Sequence, residues 1–222
     1  MTLFVCATPI GNLDDVSFRL LETLKKVDLI CAEDTRRTKK LLDKYNVKYN
    51  KMTSYNDANK KIKTKHIIEE LNQNRDVALV SDSGTPCISD PGYYLVSNAV
   101  VNGIAVVPVP GPNAMIAALS ISGMATDRFT FYGFLPKTSG KQMKILEEIK
   151  KRNETAVIYE SQYRIVKTLN AINTAMPDKQ LVLCRELTKK FEEQIRGTAG
   201  QILEKIKNKK IKGEIVLIIG KS

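Results

Sequence analysis

Three times in its first half this chain breaks from a short apolar run into a turn rich in Pro, Gly, Ser or Asp. Leu3–Ala7 runs into Thr8-Pro9-Ile10-Gly11-Asn12-Leu13-Asp14 and then a helical pattern from Val16 to Val27. Val77–Val80 runs into Ser81-Asp82-Ser83-Gly84-Thr85-Pro86, and Ile104–Val109 into Pro110-Gly111-Pro112-Asn113, where a helix begins at Ala114. Strand and helix alternating at this density predict a largely parallel sheet covered by helices. In such sheets ligands bind outside the carboxyl ends of the strands. Three junctions of one kind therefore predict one composite small-molecule pocket.

The remaining periodicities complete an α/β first half. Leu29–Ala32 reads as a strand and Thr35–Tyr45 as a basic helix; a polar stretch follows, Lys48 to Lys61. Ile62–Asn72, Tyr94–Val101 and Ala114–Ile121 read as helices. Around Ser122–Asp127 the pattern changes. Phe129–Leu135, Ala156–Glu160, Leu181–Arg185, Glu193–Arg196 and Glu214–Ile219 read as strands, with helices at Lys141–Lys151, Ile165–Ala175 and Gln201–Lys207. Strands outnumber helices there, which predicts an α+β unit with a mixed sheet. The 222 residues suffice for two domains. We place an N-terminal α/β domain at residues 1–115 and a C-terminal α+β domain at 116–222, with the ligand cleft between them.

Charge and cysteine usage narrow the class. The net charge of +11, from 35 Lys+Arg against 24 Asp+Glu, favours a polyanionic partner, nucleic acid first; Lys-rich faces that merely solubilise the chain are the plainer alternative. Cys6, Cys31, Cys87 and Cys184 form no CxxC pair, so no zinc site is expected. Cys6, Cys31 and Cys184 lie in apolar runs and read as small buried hydrophobes. The N-terminus shows no signal-peptide pattern and no apolar stretch approaches membrane-spanning length, so a cytoplasmic protein is expected. The chain has neither G-x-G-x-x-G nor G-x-x-x-x-G-K-[ST], which leaves a dinucleotide site of the usual type and a P-loop unsupported. The one histidine, His66, sits on a Lys-rich helix without a nucleophile elbow elsewhere, which argues against a serine hydrolase.

Several segments carry candidate chemistry. Ser81–Gly92 reads SDSGTPCISDPG, too constrained for a plain flexible loop and rich in hydroxyls, carboxylates and backbone donors. Glu33 and Asp34, at the end of the second strand run, are candidate general bases, and the cations Arg36 and Arg37 beyond them candidate phosphate contacts. The alternative is an Asp helix cap followed by a solvated basic face.

The ordered strings ATPIGNLDD, AEDTR, SDSGTPCISDPG, PGPNA, ATDRFTFYGFLP, YES-x-x-R, CRELTK and GEIVL resemble the ribosomal RNA small subunit methyltransferase I family, within the tetrapyrrole methylase superfamily. The resemblance runs from about Leu3 to Gly220. It implies a two-domain tetrapyrrole methylase-like α/β fold and S-adenosyl-L-methionine as methyl donor. It further implies a homodimer, and as substrate 16S rRNA or the small ribosomal subunit, methylated on the ribose 2′-hydroxyl of a decoding-centre cytidine. By motif, Pro9 and Gly11 would form one wall of the donor site, Gly84, Thr85 and Ile88 a second, Pro112, Asn113 and Ala114 a third, with Tyr159 and Glu214 from the second domain. S-adenosylmethionine is a sulfonium cation, and these turns contain no Lys or Arg.

Arg37 stands where the family often has His, as do Asn56–Asn59 after Ser54-Tyr55; Gln162-Tyr163 replaces Pro-His before Arg164, and Asn113 replaces Ser. These departures argue against an obligatory histidine base. Asp34 is then the first choice of base and Glu33 the second, while Arg36, Arg37, Arg164, Arg185 and Lys189 are candidate substrate contacts. Two other readings remain at this point: the same superfamily acting on a porphyrinoid, or a non-enzymatic ribosome-associated RNA-binding protein.

Overall fold

The two halves of the chain build two separate sheets. The computed structural model describes residues 1–221, divided into one unit at Met1–Asn113 and a second beginning at Ala114. The first sheet contains β1 (Thr2–Cys6), β2 (Leu29–Ala32), β3 (Lys51–Ser54), β4 (Val77–Val80) and β5 (Ala105–Val109) in the order β3-β2-β4-β1-β5, all parallel. Every residue of β2 and β4 is buried, which explains why both read as unbroken apolar runs rather than alternating ones.

The helices of this unit are α1 (Phe18–Lys26), α2 (Thr35–Lys44), α3 (Lys60–Asn72) and α4 (Gly92–Val101). The α1 pattern begins two residues later than its apolar period suggests, because the Ser17 hydroxyl accepts the Leu20 N–H and caps the helix there. Leu20 and Leu24, four residues apart, then face the core with Val27. The polar stretch Lys48–Lys61 hides β3. As an edge strand with an exposed first residue it needs no apolar alternation, so it carries no period to read.

The second unit holds β6 (Phe129–Phe134), β7 (Thr155–Ser161), β8 (Gln180–Arg185), β9 (Glu193–Thr198) and β10 (Glu214–Ile219), in the order β6-β7-β10-β8-β9. Only β6 and β7 pair in parallel; the other three pairings are antiparallel, as the strand-rich composition predicts. One sheet face packs Ile158, Leu183, Ile215 and Leu217 against α6 (Ser139–Arg152), α7 (Ile165–Ala175) and α8 (Ala199–Ile206). The other face, which bears Tyr159 and Val216 opposite one another, is covered by α5 (Ala114–Ser122). No helix among the described residues is long and apolar enough to cross a membrane.

Candidate active site

The parallel sheet determines where the motif residues of the first unit come together. Each parallel strand delivers its following turn to the same edge, and β2, β4, β1 and β5 are consecutive neighbours. Hence Glu33–Arg37, Ser81–Pro86, Thr8–Asn12 and Gly111–Asn113 lie side by side at the carboxyl edge, although up to 105 positions separate them.

Hydrogen bonds stitch these turns to one another. Thr8 and Gly84 exchange backbone bonds of 2.9 and 3.1 Å, and the buried Thr8 hydroxyl donates to the Ser81 carbonyl. The Ser81 hydroxyl donates to the Gly84 carbonyl at 3.2 Å, and the Thr85 hydroxyl to the Pro112 carbonyl at 3.3 Å. Gly84 has φ +81°, and a Cβ there would lie 3.3 Å from Ile10 Cγ2. A Cβ on Gly111 would lie 3.1 Å from Ala7 Cβ and 3.3 Å from Ala7 O. Both turns thus need a residue without a side chain. Pro9 is buried within this group, Thr85, Pro112 and Asn113 are half-buried, and Gly11 and Ile88 are exposed.

The SDSGTPCISDPG segment is held under strain. Cys87 and Ser89 occupy the left-handed region at φ 74° and 66°, where L residues are rarely found. One Asp90 carboxylate oxygen accepts both Cys87 N–H (2.9 Å) and Gly92 N–H (2.7 Å) and fixes that path. Burial pushes the Cys87 thiol up to about 11, with Asp90 adding to the effect, so it is not a thiolate nucleophile.

The two candidate bases have different surroundings. Asp34 is the N-cap of α2: its carboxylate accepts the Arg36 N–H at 2.9 Å and three guanidinium bonds from the Arg36 side chain, at 3.0, 3.2 and 2.7 Å. These bonds hold its carboxyl well below the usual range. Glu33 is half-buried, and that burial raises its carboxyl; the Asp82 N–H bond opposes the shift, while the charges of Asp82 and Asp90 add to it. The Asp82 N–H donates to Glu33 Oε2 at 3.1 Å and the Asp34 N–H to Asp82 Oδ1 at 2.8 Å, a reciprocal tie between the ends of β2 and β4. Arg37 reaches the other Asp82 oxygen at 3.5 Å. Asp82 was not singled out from the sequence as a base or contact, and it is the residue that organises this edge. Its signal was an acid two residues past the buried run of β4.

In the second unit the motif residues also converge. The Tyr159 hydroxyl is hydrogen-bonded to the Met115 backbone, beside Ala114 at the start of α5, and its ring packs edge-on to Phe131 and Phe134. Glu214 pairs across β10 with Ser161, two residues from Tyr159 and on the same sheet face. Lys189 reaches Glu214 and Glu186 at 2.9 Å each, while the Glu186 N–H donates to the Glu214 carbonyl and the Glu214 N–H to Glu186 Oε1, both at 3.0 Å. Arg185 is bound to Glu193 and to the Lys212 carbonyl. Arg164 donates to the Leu135 and Pro136 carbonyls and faces the fully buried Glu160 carboxylate at 3.5 Å. The cations selected from the motifs therefore join segments of their own unit.

Comparison with other proteins places these motifs in a group. A sequence model of the tetrapyrrole (corrin/porphyrin) methylases matches residues 2–203. The ribosomal RNA small subunit methyltransferase I of Halalkalibacterium halodurans is 46% identical over 218 residues, 98% of this chain and 75% of that protein. Its namesake in Thermotoga maritima is 42% identical over 217 residues, 98% of this chain and 97% of the relative. Among solved structures, a diphthine synthase superposes with a TM-score of 0.75 at 13% identity, covering 99% of this chain and 89% of the other. The uroporphyrin-III C-methyltransferase from Thermus thermophilus, complexed with S-adenosyl homocysteine, gives 0.64 at 15% identity, covering 99% and 96%. At those identities the structural likeness is one of fold.

Proposed function

Because this chain belongs to the ribosomal RNA small subunit methyltransferase I family of the tetrapyrrole methylases, we propose that it transfers a methyl group from S-adenosylmethionine to the ribose 2′-hydroxyl of a decoding-centre cytidine in 16S rRNA. The observation that carries the donor site is the row of four turns at one sheet edge, closed by Gly84 and Gly111 where a side chain would intrude. The turns after β1, β4 and β5 bring hydroxyls and carbonyls but no Lys or Arg, which suits a sulfonium cation. Pro9, Gly11, Gly84, Thr85, Ile88, Pro112 and Asn113 are the proposed donor contacts of the first unit. Ala114, Tyr159 and Glu214 are carried into the proposal from the second.

When bound, the donor supplies an electrophilic methyl group. The residues of this chain then have two tasks: to position the ribose oxygen and to take its proton. Glu33 is the better base. Its raised carboxyl holds a proton more firmly than Asp34, whose charge is already committed to Arg36 and to the cap. Asp82 holds Glu33 in place through its N–H. Arg36, Arg37, Arg164, Arg185 and Lys189 are proposed to orient substrate or the segments that touch it.

The proposal includes a homodimer working in the cytoplasm. Two measurements test the activity. Calorimetric titration with S-adenosylmethionine should show binding, and donor labelled on the methyl group should label small-subunit RNA, with the label mapped to a 2′-O-methylcytidine. Label appearing on a porphyrinogen instead would favour the porphyrinoid reading. Absence of donor binding would favour a non-enzymatic RNA-binding protein.

A further inference from the structure

The second unit carries a basic, aromatic rim built mainly from residues outside the motifs. It is formed by the connections β8–β9 and α8–β10, which emerge at neighbouring strands of the mixed sheet. Lys190, Phe191, Lys209 and Lys210, with Glu192 and Glu193, line a depression of about 610 Å³ there. Both acids are already engaged. Glu193 takes Arg185 at 3.2 Å and Lys209 at 2.8 Å, and Glu192 accepts the Thr188 N–H at 2.6 Å. Lys190, Lys210 and Lys212 have no ion pair among the described residues and face solvent.

Phe191 is 66% exposed in the middle of these cations, with Lys190 Nζ 5.7 Å from its ring centroid. A second exposed aromatic adjoins the start of β10. Tyr163 is 89% exposed, and its neighbour Gln162 accepts the Gly213 N–H at 2.8 Å, next to Lys212. Exposing two rings gains the fold nothing, since each forfeits the stabilisation of a buried aromatic. Rings set among unpaired lysines match a ligand with planar faces and regularly spaced negative charge. An acidic peptide would use the lysines and leave the rings idle.

Resting on the ribosomal RNA reading above, we propose that this rim is an accessory contact for single-stranded RNA. An unstacked base lies on Phe191, and the flanking phosphates run over Lys190, Lys210 and Lys212. It acts on RNA affinity, not on the methyl donor.

Fluorescence anisotropy with a fluorescein-labelled oligocytidylate, at several salt concentrations and without donor, tests this directly. Phe191→Ala should weaken binding by about ten-fold or more, the loss of one stacked base, while leaving the salt slope alone. Phe191→Trp should restore it. Lys190→Ser, Lys210→Ser and Lys212→Ser combined should flatten the slope of log K against log salt by about two, at roughly 0.7 per released phosphate contact. Circular dichroism and the affinity for S-adenosylmethionine should match the parent in every variant. Oligonucleotide binding within two-fold of the parent in Phe191→Ala, with the salt slope of the lysine variant unchanged, overturns the proposal. So does the lysine variant losing affinity for a polyglutamate peptide while keeping it for the oligonucleotide, which would make the rim a protein contact. The proposed function fails on a different readout: a parent protein that binds donor yet labels no small-subunit RNA.

Discussion

Glu160→Gln changes one buried oxygen to an amide nitrogen, and the cost can be worked through bond by bond. Glu160, Thr168 and Gln142 are each at most 2% exposed. Glu160 Oε1 accepts the Ser161 N–H at 2.7 Å and faces Arg164 at 3.5 Å; Oε2 accepts the Thr168 hydroxyl at 2.6 Å. That hydroxyl in turn accepts from the Gln142 amide at 3.1 Å. No buried side-chain polar atom among the described residues lacks a partner. With Gln at 160, the remaining oxygen stays on Ser161, and the new amide points at Thr168. The Thr168 oxygen can accept both amides through its two lone pairs, but its O–H has lost its acceptor. One stranded buried O–H costs about 1–3 kcal/mol. Losing the charge opposite Arg164 adds to this, for a total of about 2–4 kcal/mol, with the lower part of the 3–5 kcal/mol range for a broken buried pair as its ceiling. Urea denaturation followed by circular dichroism measures it. Thr168→Val leaves Glu160 Oε2 and the Gln142 amide short of a partner, and should cost about 2 kcal/mol. In the double variant the stranded O–H no longer exists, so the sum of the singles should exceed the double by about 1 kcal/mol. Glu160→Gln within about 0.5 kcal/mol of the parent, the range of an ordinary surface change, would refute the reasoning.

Gly111→Val should abolish calorimetric binding of S-adenosylmethionine in a folded protein, because its Cβ would press on Ala7; Gly84→Val should do the same through its φ of +81° and Ile10. Unchanged donor affinity in either folded variant would remove these turns from the site. Glu33→Gln should cut the single-turnover methylation rate by about two orders of magnitude or more. Asp34→Asn, which keeps some capping ability, should stay within about ten-fold of the parent, and the reverse ranking would restore Asp34 as the base. Because burial raises the Glu33 carboxyl, the folded protein binds this proton more tightly than the unfolded chain does. Its contribution to stability is then present below the ordinary glutamate range and declines as pH rises through the raised value, while the rate climbs over the same window. Both trends should vanish in Glu33→Gln, as read by denaturant midpoints and single-turnover rates against pH.

The first unit was readable because its determinants are local. The apolar runs of β2 and β4 and the Gly- and Pro-rich turns beyond β1, β4 and β5 each declare themselves within a dozen residues. What those runs omit is their neighbours. The order β3-β2-β4-β1-β5 puts Ser81–Pro86 between the turns of β2 and β1, and no local pattern specifies that. The edge strand β3 was invisible because its residues alternate nothing. The capping role of Asp34 was one of two readings open in the sequence, since a carboxylate before a helix serves equally as cap or base until its partner is known. Arg36, two residues on, is that partner, and Asp82, which braces Glu33, lies 49 positions away. Long-range polar ties of this kind follow from topology, not from period.

The positive charge divides along the same line. Arg36, Arg37, Arg164, Arg185 and Lys189, the cations selected as candidate substrate contacts, each face a carboxylate of their own unit: Asp34, Asp82, Glu160, Glu193 and the pair Glu186 and Glu214. An ion pair presents little net field to a distant polyanion, because the two charges cancel beyond their separation. The excess that makes the chain +11 must therefore reside on cations outside this set, among them Lys190, Lys210 and Lys212. Attraction and positioning are then separable properties. Neutralising a motif cation should disturb the loop it braces and leave the salt dependence of RNA binding nearly intact, whereas neutralising the unpaired lysines should do the reverse. Arg36→Gln with Arg37→Gln, measured beside the lysine variant, decides between the two: a salt slope that falls in the arginine variant and holds in the lysine variant would place the RNA-attracting charge on α2.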